Sequence, residues 1–115
     1  MILGKSGEDH IEEMLKKSGW KILARNFRVR CAEIDIIATK DEKLIVVEVK
    51  TQSRSVVSLR ELISSQKLRK LSLGVSIWLT INPHYCNCEI ELWAVQVQYS
   101  TNLGFNVVKW ASIGV

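Results

Sequence analysis

The chain has 115 residues, 47% apolar and 24% charged, and its 16 basic and 12 acidic side chains give a net charge of +4. Residues 1–115 are therefore predicted to fold as a single domain with a core of its own. The proportions exclude a disordered tail and a collagen-like repeat. The modest positive charge is compatible with an anionic partner but does not identify one.

The sequence shows no sign of a membrane or secretory segment. Its most apolar stretch, residues 75–81, is far shorter than the roughly 20 residues of a membrane helix, so no membrane partner is expected. The amino terminus lacks the basic and apolar regions of a secretory signal, which predicts a cytoplasmic protein.

Cys31, Cys86 and Cys88 are odd in number and sparse for a disulfide scaffold, so reduced thiols are expected. His84, Cys86 and Cys88 have the residue types of a zinc site. Because a structural zinc site needs four ligands and no fourth ligand is evident, zinc is not expected.

The first predicted elements are a helix and a strand. Ser6 and Asp9 form a capping-box pattern that predicts a helix over residues 7–18. A mixture of apolar and basic residues predicts a strand over residues 20–29, in which Asn26 indicates an irregularity.

Two segments rich in Ile and Val, residues 33–39 and 43–50, flank a short polar turn and predict a β-hairpin. A second helix is predicted over residues 59–79, because Ser58 and Glu61 repeat the capping-box pattern and Asn82-Pro83 would end it.

Two late strands are predicted over residues 89–98 and 105–111. The order α-β-β-β-α-β-β indicates an α+β domain with a mixed sheet. A homodimer through these late strands, around Trp93 or Trp110, is a further hypothesis.

Charged residues interrupt the hairpin where its other residues are apolar. Strand side chains alternate between two faces, which places Asp35 opposite to Ile34 and Ile36 in the first strand. In the second strand, Glu48 and Lys50 end a face that is otherwise apolar. Because hairpin neighbours pair in space, Asp35 and Glu48 are expected to converge at one end of the sheet.

Convergent carboxylates among core residues indicate a metal, since ionised groups are seldom buried unless they are paired or bound to a cation. Asp35, Glu48 and the backbone carbonyl of Val49 are candidate ligands of Mg²⁺, which leaves positions for phosphate oxygens. Lys50 would orient or help deprotonate a water molecule that attacks the phosphate. Glu8, on the shoulder of the apolar stripe of the first helix, is an additional candidate.

Simpler explanations stay open for the same residues. A Glu-Val-Lys end on an edge strand is often a solvated cross-strand ion pair, which would account for Glu48 and Lys50. An acidic residue in the first turn of a helix is favoured by the helix dipole, which would account for Glu8.

The order of these blocks resembles the PD-(D/E)XK nuclease superfamily. It resembles more closely the YraN-like family of predicted endonucleases, related to archaeal Holliday junction resolvases. The matching blocks are residues 4–9, 19–28, 32–38 and 46–51. Ala32, Gln52, Glu89 and Glu91 depart from the residues usual in the family, and the loss of positive charge at positions 52 and 89 concerns the surface that would contact DNA.

The resemblance implies a restriction-endonuclease-like fold, with an αβββαβ core in which helices flank a mixed sheet. It also implies a Mg²⁺ or Mn²⁺ site at Asp35 and Glu48, Lys50 as the catalytic lysine, and Glu8 as an additional acidic site residue that joins the metal ligands.

Basic residues near the second helix are candidates for DNA contacts, because Lys and Arg neutralise phosphates. The predicted contacts are Arg54, Gln66, Lys67 and Lys70. A solvated helix face explains Arg60 and Arg69 equally well.

The sequence thus predicts a metal-dependent endonuclease that hydrolyses phosphodiester bonds in DNA, with branched or damaged DNA as candidate substrates. The alternative is a nucleic-acid-binding module or assembly factor without catalysis on the same fold. A purely structural interaction domain is the third hypothesis.

Overall fold

The structure, a computed structural model, describes residues 6–52, 64–100 and 104–113. These residues form two α-helices, five strands and one 3₁₀ turn. In chain order the elements are α1 (Gly7–Lys17), β1 (Lys21–Val29), β2 (Ala32–Lys40), β3 (Lys43–Gln52), α2 (Ser65–Ile81), the 3₁₀ turn (Pro83–Tyr85), β4 (Glu89–Ser100) and β5 (Gly104–Ile113). Neither described helix is long and apolar enough to cross a membrane.

The strands form one five-stranded sheet in the order β1-β2-β3-β4-β5. Neighbouring strands are antiparallel except β3 and β4, which run parallel from Lys43↔Glu89 to Gln52↔Gln98. Parallel neighbours require a crossover, and α2 lies within it. The predicted α+β fold with a mixed sheet is confirmed, in the αβββαβ order that the resemblance implies.

Helix α1 begins as its sequence predicts and covers one face of the sheet. The Ser6 hydroxyl accepts from the Asp9 N–H, and the Asp9 carboxylate accepts from the Ser6 N–H, which completes the capping box. Its buried residues, Ile11 and Leu15, pack with the inward residues of β2, β3 and β4. The core on this side comprises Ile11, Leu15, Ile36, Ala38, Ile45, Val47, Val49, Val95 and Val97.

Helix α2 covers the opposite face but begins later than the sequence predicts. Ser64 has an extended backbone (ψ 164°), and its hydroxyl accepts from the Lys67 N–H, so the helix starts at Ser65. A continuous helix from residue 59 is therefore wrong, while residues 58–63 lie outside the described part of the chain. Its far end, at Ile81, is capped by Asn82, directly before Pro83.

The hairpin turn between β2 and β3 consists of Asp41 and Glu42, whose φ angles are 50° and 64°. Two successive residues with positive φ are typical of the type I′ turn, which matches the twist of the flanking strands. This turn fixes the register from Lys40↔Lys43 to Ile36↔Val47.

Strand β3 alternates as predicted, with Leu44 and Val46 on the α2 side and Ile45 and Val47 on the α1 side. Ile34 does not follow the alternation of β2. It packs with Ile37 in the α2 layer, whereas the sequence predicts that it shares a face with Ile36 and Ala38.

The exception at Ile34 has a local cause in the neighbouring strand β1. Asn26 has a left-handed backbone (φ 51°) and lies between the pairs Arg25↔Ile36 and Phe27↔Ile34. It therefore confirms the irregularity that the sequence indicates at this position. In both strands the alternation of side chains between the two sheet faces is interrupted at this point, and Asp35 lies at the interruption in β2.

Candidate functional site

The regular pairing of β2 with β3 ends one step before Asp35 and Glu48. The last pair is Ile36↔Val47, and the next step of the same register would set Asp35 opposite Glu48. There the Asp35 Oδ2 accepts a 2.7 Å hydrogen bond from the Val49 N–H. A side-chain carboxylate thus takes the backbone donor at the point where the two strands separate.

Both carboxylates are buried, with Asp35 7% and Glu48 3% exposed. Strand β3 is the middle strand of the sheet. The alternative explanation for Glu48 and Lys50, a solvated ion pair on an edge strand, is therefore wrong. The structure brings Asp35 and Glu48 into one site, as the sequence predicts.

Two ammonium groups reach the same oxygen of Glu48. The Lys50 Nζ lies 3.3 Å and the Lys67 Nζ 3.2 Å from Glu48 Oε2. Lys50 follows two residues later on β3, whereas Lys67 comes from the first turn of α2. The two lysine side chains are 42% and 35% exposed. A buried acid is thus held by two cations whose stems extend toward solvent.

The pKa of Asp35 is raised to about 7, chiefly because burial penalises its ionised form. The hydrogen bond from the Val49 N–H works against this shift. The negative charges of Glu48 and Glu8 raise the pKa further, and the charge of Lys67 lowers it. The site therefore contains a carboxyl group that exchanges its proton near neutral pH, a property that functional sites often have.

Glu8 is close enough to act on Asp35, but its carboxylate is engaged elsewhere. Its Oε1 lies 3.3 Å from Arg25 Nη2, and Arg25 also pairs with Asp9 at 3.1 Å and with Glu12 at 2.6 Å. Arg25 thereby ties three acids of α1 to β1. Within the three described stretches of chain, no group of three or more His, Cys, Asp or Glu side chains is arranged to hold a metal ion.

The expected set of three acids is thus not assembled, because the guanidinium of Arg25 holds Glu8. The sequence carried no specific sign of this contact, since Arg25 is one of several basic residues in a strand that mixes apolar and basic side chains. It did not show which partner Arg25 has, because the register of β1 shifts between Ile22 and Ala24 and no sequence pattern fixes that shift.

The predicted DNA contacts divide into three groups. Gln66 and Lys70 are exposed near the start of α2, next to the turn that carries Lys67. Lys67 is engaged with Glu48. Arg54 lies outside the described residues.

The unusual acids of β4 lie far from the site. Glu89 is paired with Lys43, five positions before Ala94, which is the partner of Glu48. Five strand residues correspond to roughly 16 Å. Glu91 pairs with the Lys43 Nζ at 3.3 Å. These two departures from the family pattern therefore leave the surroundings of Asp35 and Glu48 unchanged.

The other end of the sheet has a cleft of about 320 Å³ lined by Thr39, Glu42, His84, Tyr85, Asn87 and Cys88. Cys31, Cys86 and Cys88 are free thiols, the first two exposed and the third half-buried. Trp93 packs edge-to-face on Trp20 with ring centroids 5.4 Å apart, so it has a contact within its own chain. The side chain of Trp110 lies outside the described part.

Comparisons with known proteins place this chain in a family. A family model described as Uncharacterised protein family UPF0102 matches residues 7–109. This chain is similar to a UPF0102 protein of Persephonella marina, with 44% identity over 79 residues that cover 68% of each chain. It is also similar to a UPF0102 protein of Syntrophomonas wolfei, with 36% identity over 84 residues that cover 72% of this chain and 73% of the relative. A third, from Campylobacter jejuni subsp. doylei, is 37% identical over 106 residues, covering 89% and 93% of the two chains.

Among solved structures, the chain is similar to Pyrococcus furiosus SfsA, solved in complex with Ca²⁺. The TM-score is 0.41 at 17% sequence identity, and the match covers 94% of this chain and 61% of that chain. On the family match and the relatives together, this chain belongs to the UPF0102 family.

Proposed function

We propose that the protein is a divalent-metal-dependent endonuclease that hydrolyses phosphodiester bonds in DNA. The observation that carries the proposal is the burial of two carboxylates, Asp35 and Glu48, at one end of the sheet beside the ammonium group of Lys50. Two adjacent acids in the interior of a sheet repel each other and lose hydration, and this cost supports a functional purpose for the pair.

The residues of the site fit a hard divalent cation. One oxygen of Glu48 attracts two ammonium groups, which indicates a negative electrostatic potential that favours a cation at this position. Mg²⁺ is commonly held by one or two carboxylates, with water and substrate phosphate completing its coordination. Asp35 and Glu48 would hold it, with the Val49 carbonyl as a further oxygen ligand. When bound, the ion polarises the phosphate and lowers the pKa of a coordinated water.

Lys50 supplies the remaining polar group of the proposed mechanism. Its ammonium touches the buried Glu48, while 42% of its side chain is exposed toward the solvent from which a phosphate would arrive. From this position it can orient the attacking water by a hydrogen bond and stabilise the negative charge that develops on the phosphate.

A nucleic acid is the substrate that the surroundings favour. Gln66, Lys67 and Lys70 lie in the first two turns of α2, and the first turn reaches the site through Lys67. Backbone contacts from such residues position a nucleic acid without reading its sequence. Branched or damaged DNA is the substrate form that we propose to test first.

Cleavage assays with matched variants test this proposal. Purified protein with Mg²⁺ or Mn²⁺ is incubated with supercoiled plasmid, linear duplex and a four-way junction. Asp35→Asn and Lys50→Ala should each lower the cleavage rate at least 100-fold, while Lys43→Ala, a lysine on the same strand that pairs with Glu91 at the far end, should cleave like the wild type. Equal cleavage by Asp35→Asn, Lys50→Ala and the wild type would refute the assignment.

A non-catalytic nucleic-acid-binding module is the second candidate, and the pairing of Glu8 with Arg25 favours it because the third acid is withheld from the site. This candidate predicts a gel shift that persists in Asp35→Asn, together with no cleavage of any substrate by the wild type. A purely structural domain predicts neither binding nor an Asp35-dependent heat on titration with Mn²⁺.

A further inference from the structure

Lys67 occupies a position where a cation acts on both buried acids. Its Nζ lies 3.2 Å from Glu48 Oε2. Its charge also acts on Asp35, since it lowers the pKa of that carboxyl. A positive charge that interacts with both acids takes the electrostatic place that a bound metal ion would have.

The attachment of Lys67 allows its ammonium to leave without a change of fold. Its backbone is fixed by the hydrogen bond from its N–H to the Ser64 hydroxyl at 3.1 Å, in the first turn of α2. Its side chain is 35% exposed and has four rotatable bonds, so the ammonium can swing into solvent. Lys50 reaches the same oxygen from the strand that carries Glu48, and the proposed mechanism keeps its ammonium beside the reacting phosphate.

We propose that Lys67 is the counter-ion of Asp35 and Glu48 in the metal-free protein, and that an arriving divalent cation displaces its ammonium. This inference rests on the proposed metal-dependent function and adds a regulation of the same site. Lys67 stabilises the empty site and competes with the metal, so it lowers metal affinity. Once displaced, its ammonium is available to a phosphate of the nucleic acid beside α2.

Charge removal at position 67, with a neighbouring control, tests the proposal. Lys67→Met removes the ammonium and keeps the apolar stem. Lys70→Met removes the same charge one turn along the same helix from an exposed side chain that no described contact joins to Glu48. Binding of Mn²⁺ is measured by calorimetry at pH 8.0, and stability is measured by urea unfolding in EDTA.

Lys67→Met should bind Mn²⁺ about 30-fold more tightly than the wild type, the effect of the repulsion between a unit charge and a divalent ion about 4 Å apart, even at the dielectric constant of water. It should also unfold at lower urea concentration in EDTA, with the deficit reduced when Mn²⁺ saturates the site. Lys70→Met should change affinity less than twofold. Lys67→Gln, which is shorter and polar, serves as a second variant should Lys67→Met fold poorly.

The outcomes separate this inference from the proposed function. If the wild type binds Mn²⁺ through Asp35 but Lys67→Met binds no more tightly than Lys70→Met, the role of Lys67 is refuted and the metal site stands. If the affinities follow the expectation but no variant cleaves DNA, the nuclease assignment fails and the role of Lys67 stands. Absence of Mn²⁺ binding in wild type and Lys67→Met alike would overturn both.

Discussion

Replacement of Asp35 by Asn should make the metal-free protein more stable at neutral pH than the wild type. In the folded protein the pKa of Asp35 is about 7, against a usual value of 3.8. Between these values the folded state holds a proton that the unfolded state has released, so wild-type stability falls as pH rises. At 1.36 kcal/mol per pKa unit, the difference between the two pKa values corresponds to about 4 kcal/mol of unfolding free energy that the wild type loses between pH 4 and pH 7.

Asparagine at position 35 keeps an oxygen that can accept from the Val49 N–H, and it does not ionise. The unfolding free energy of Asp35→Asn relative to the wild type should therefore rise across the pH range 4 to 7 and level off above it. Urea unfolding in EDTA at half-unit intervals from pH 4 to pH 8 measures this difference. Asp41→Asn, in the exposed hairpin turn, is the matched control and should follow the wild-type profile.

Parallel stability curves for the wild type and Asp35→Asn would refute the reasoning, because they would mean that Asp35 titrates alike in the folded and unfolded states. The burial of the carboxyl and its repulsion by Glu48 would then be without energetic consequence.

Three further results are expected. Mn²⁺ affinity measured by calorimetry should rise with pH up to about 7 and then level off, because the metal needs ionised Asp35, and Asp35→Asn should remove that rise. Gly7→Ala should lower the free energy of unfolding, measured in urea, by about 2 kcal/mol, because the new Cβ meets the Thr51 Oγ1. Addition of Thr51→Ala should restore part of the loss. An unchanged free energy of unfolding in Gly7→Ala alone would contradict the packing. Arg25→Met should lower the free energy of unfolding by about 1 to 2 kcal/mol in the same assay, because three acids lose a shared and partly buried partner. Arg28→Met, in an exposed ion pair, should lower it by less than about 0.5 kcal/mol, and equal costs would contradict the role of Arg25.

The acidic pair could be predicted from sequence because only short-range rules were needed. The turn between two strands of period two fixes which residues face each other, so Asp35 and Glu48 follow from the hairpin alone. The same rule failed for Ile34, because the left-handed Asn26 changes the face of a neighbouring strand. A single sequence does not fix how such an irregularity propagates into the adjacent strand.

Contacts between elements were harder to predict. Lys67 was expected to meet DNA, and its contact with Glu48 depends on where α2 starts and how it is rotated over the sheet. The Ser64 cap fixes that start, while the capping-box pattern at residues 58–61 suggested an earlier one. Likewise, the sequence predicts the helix that carries Glu8, but the pairing of Glu8 with Arg25 depends on the register shift in β1.

The parallel pairing of β3 with β4 has a consequence for the order in which the molecule assembles. Asp35 and Glu48 meet within one hairpin, whereas Lys43 pairs with Glu89, 46 positions later in the chain. Contacts that are local in sequence cost less loop-closure entropy than distant ones, so we expect the hairpin that holds both carboxylates to form before β4 pairs with β3.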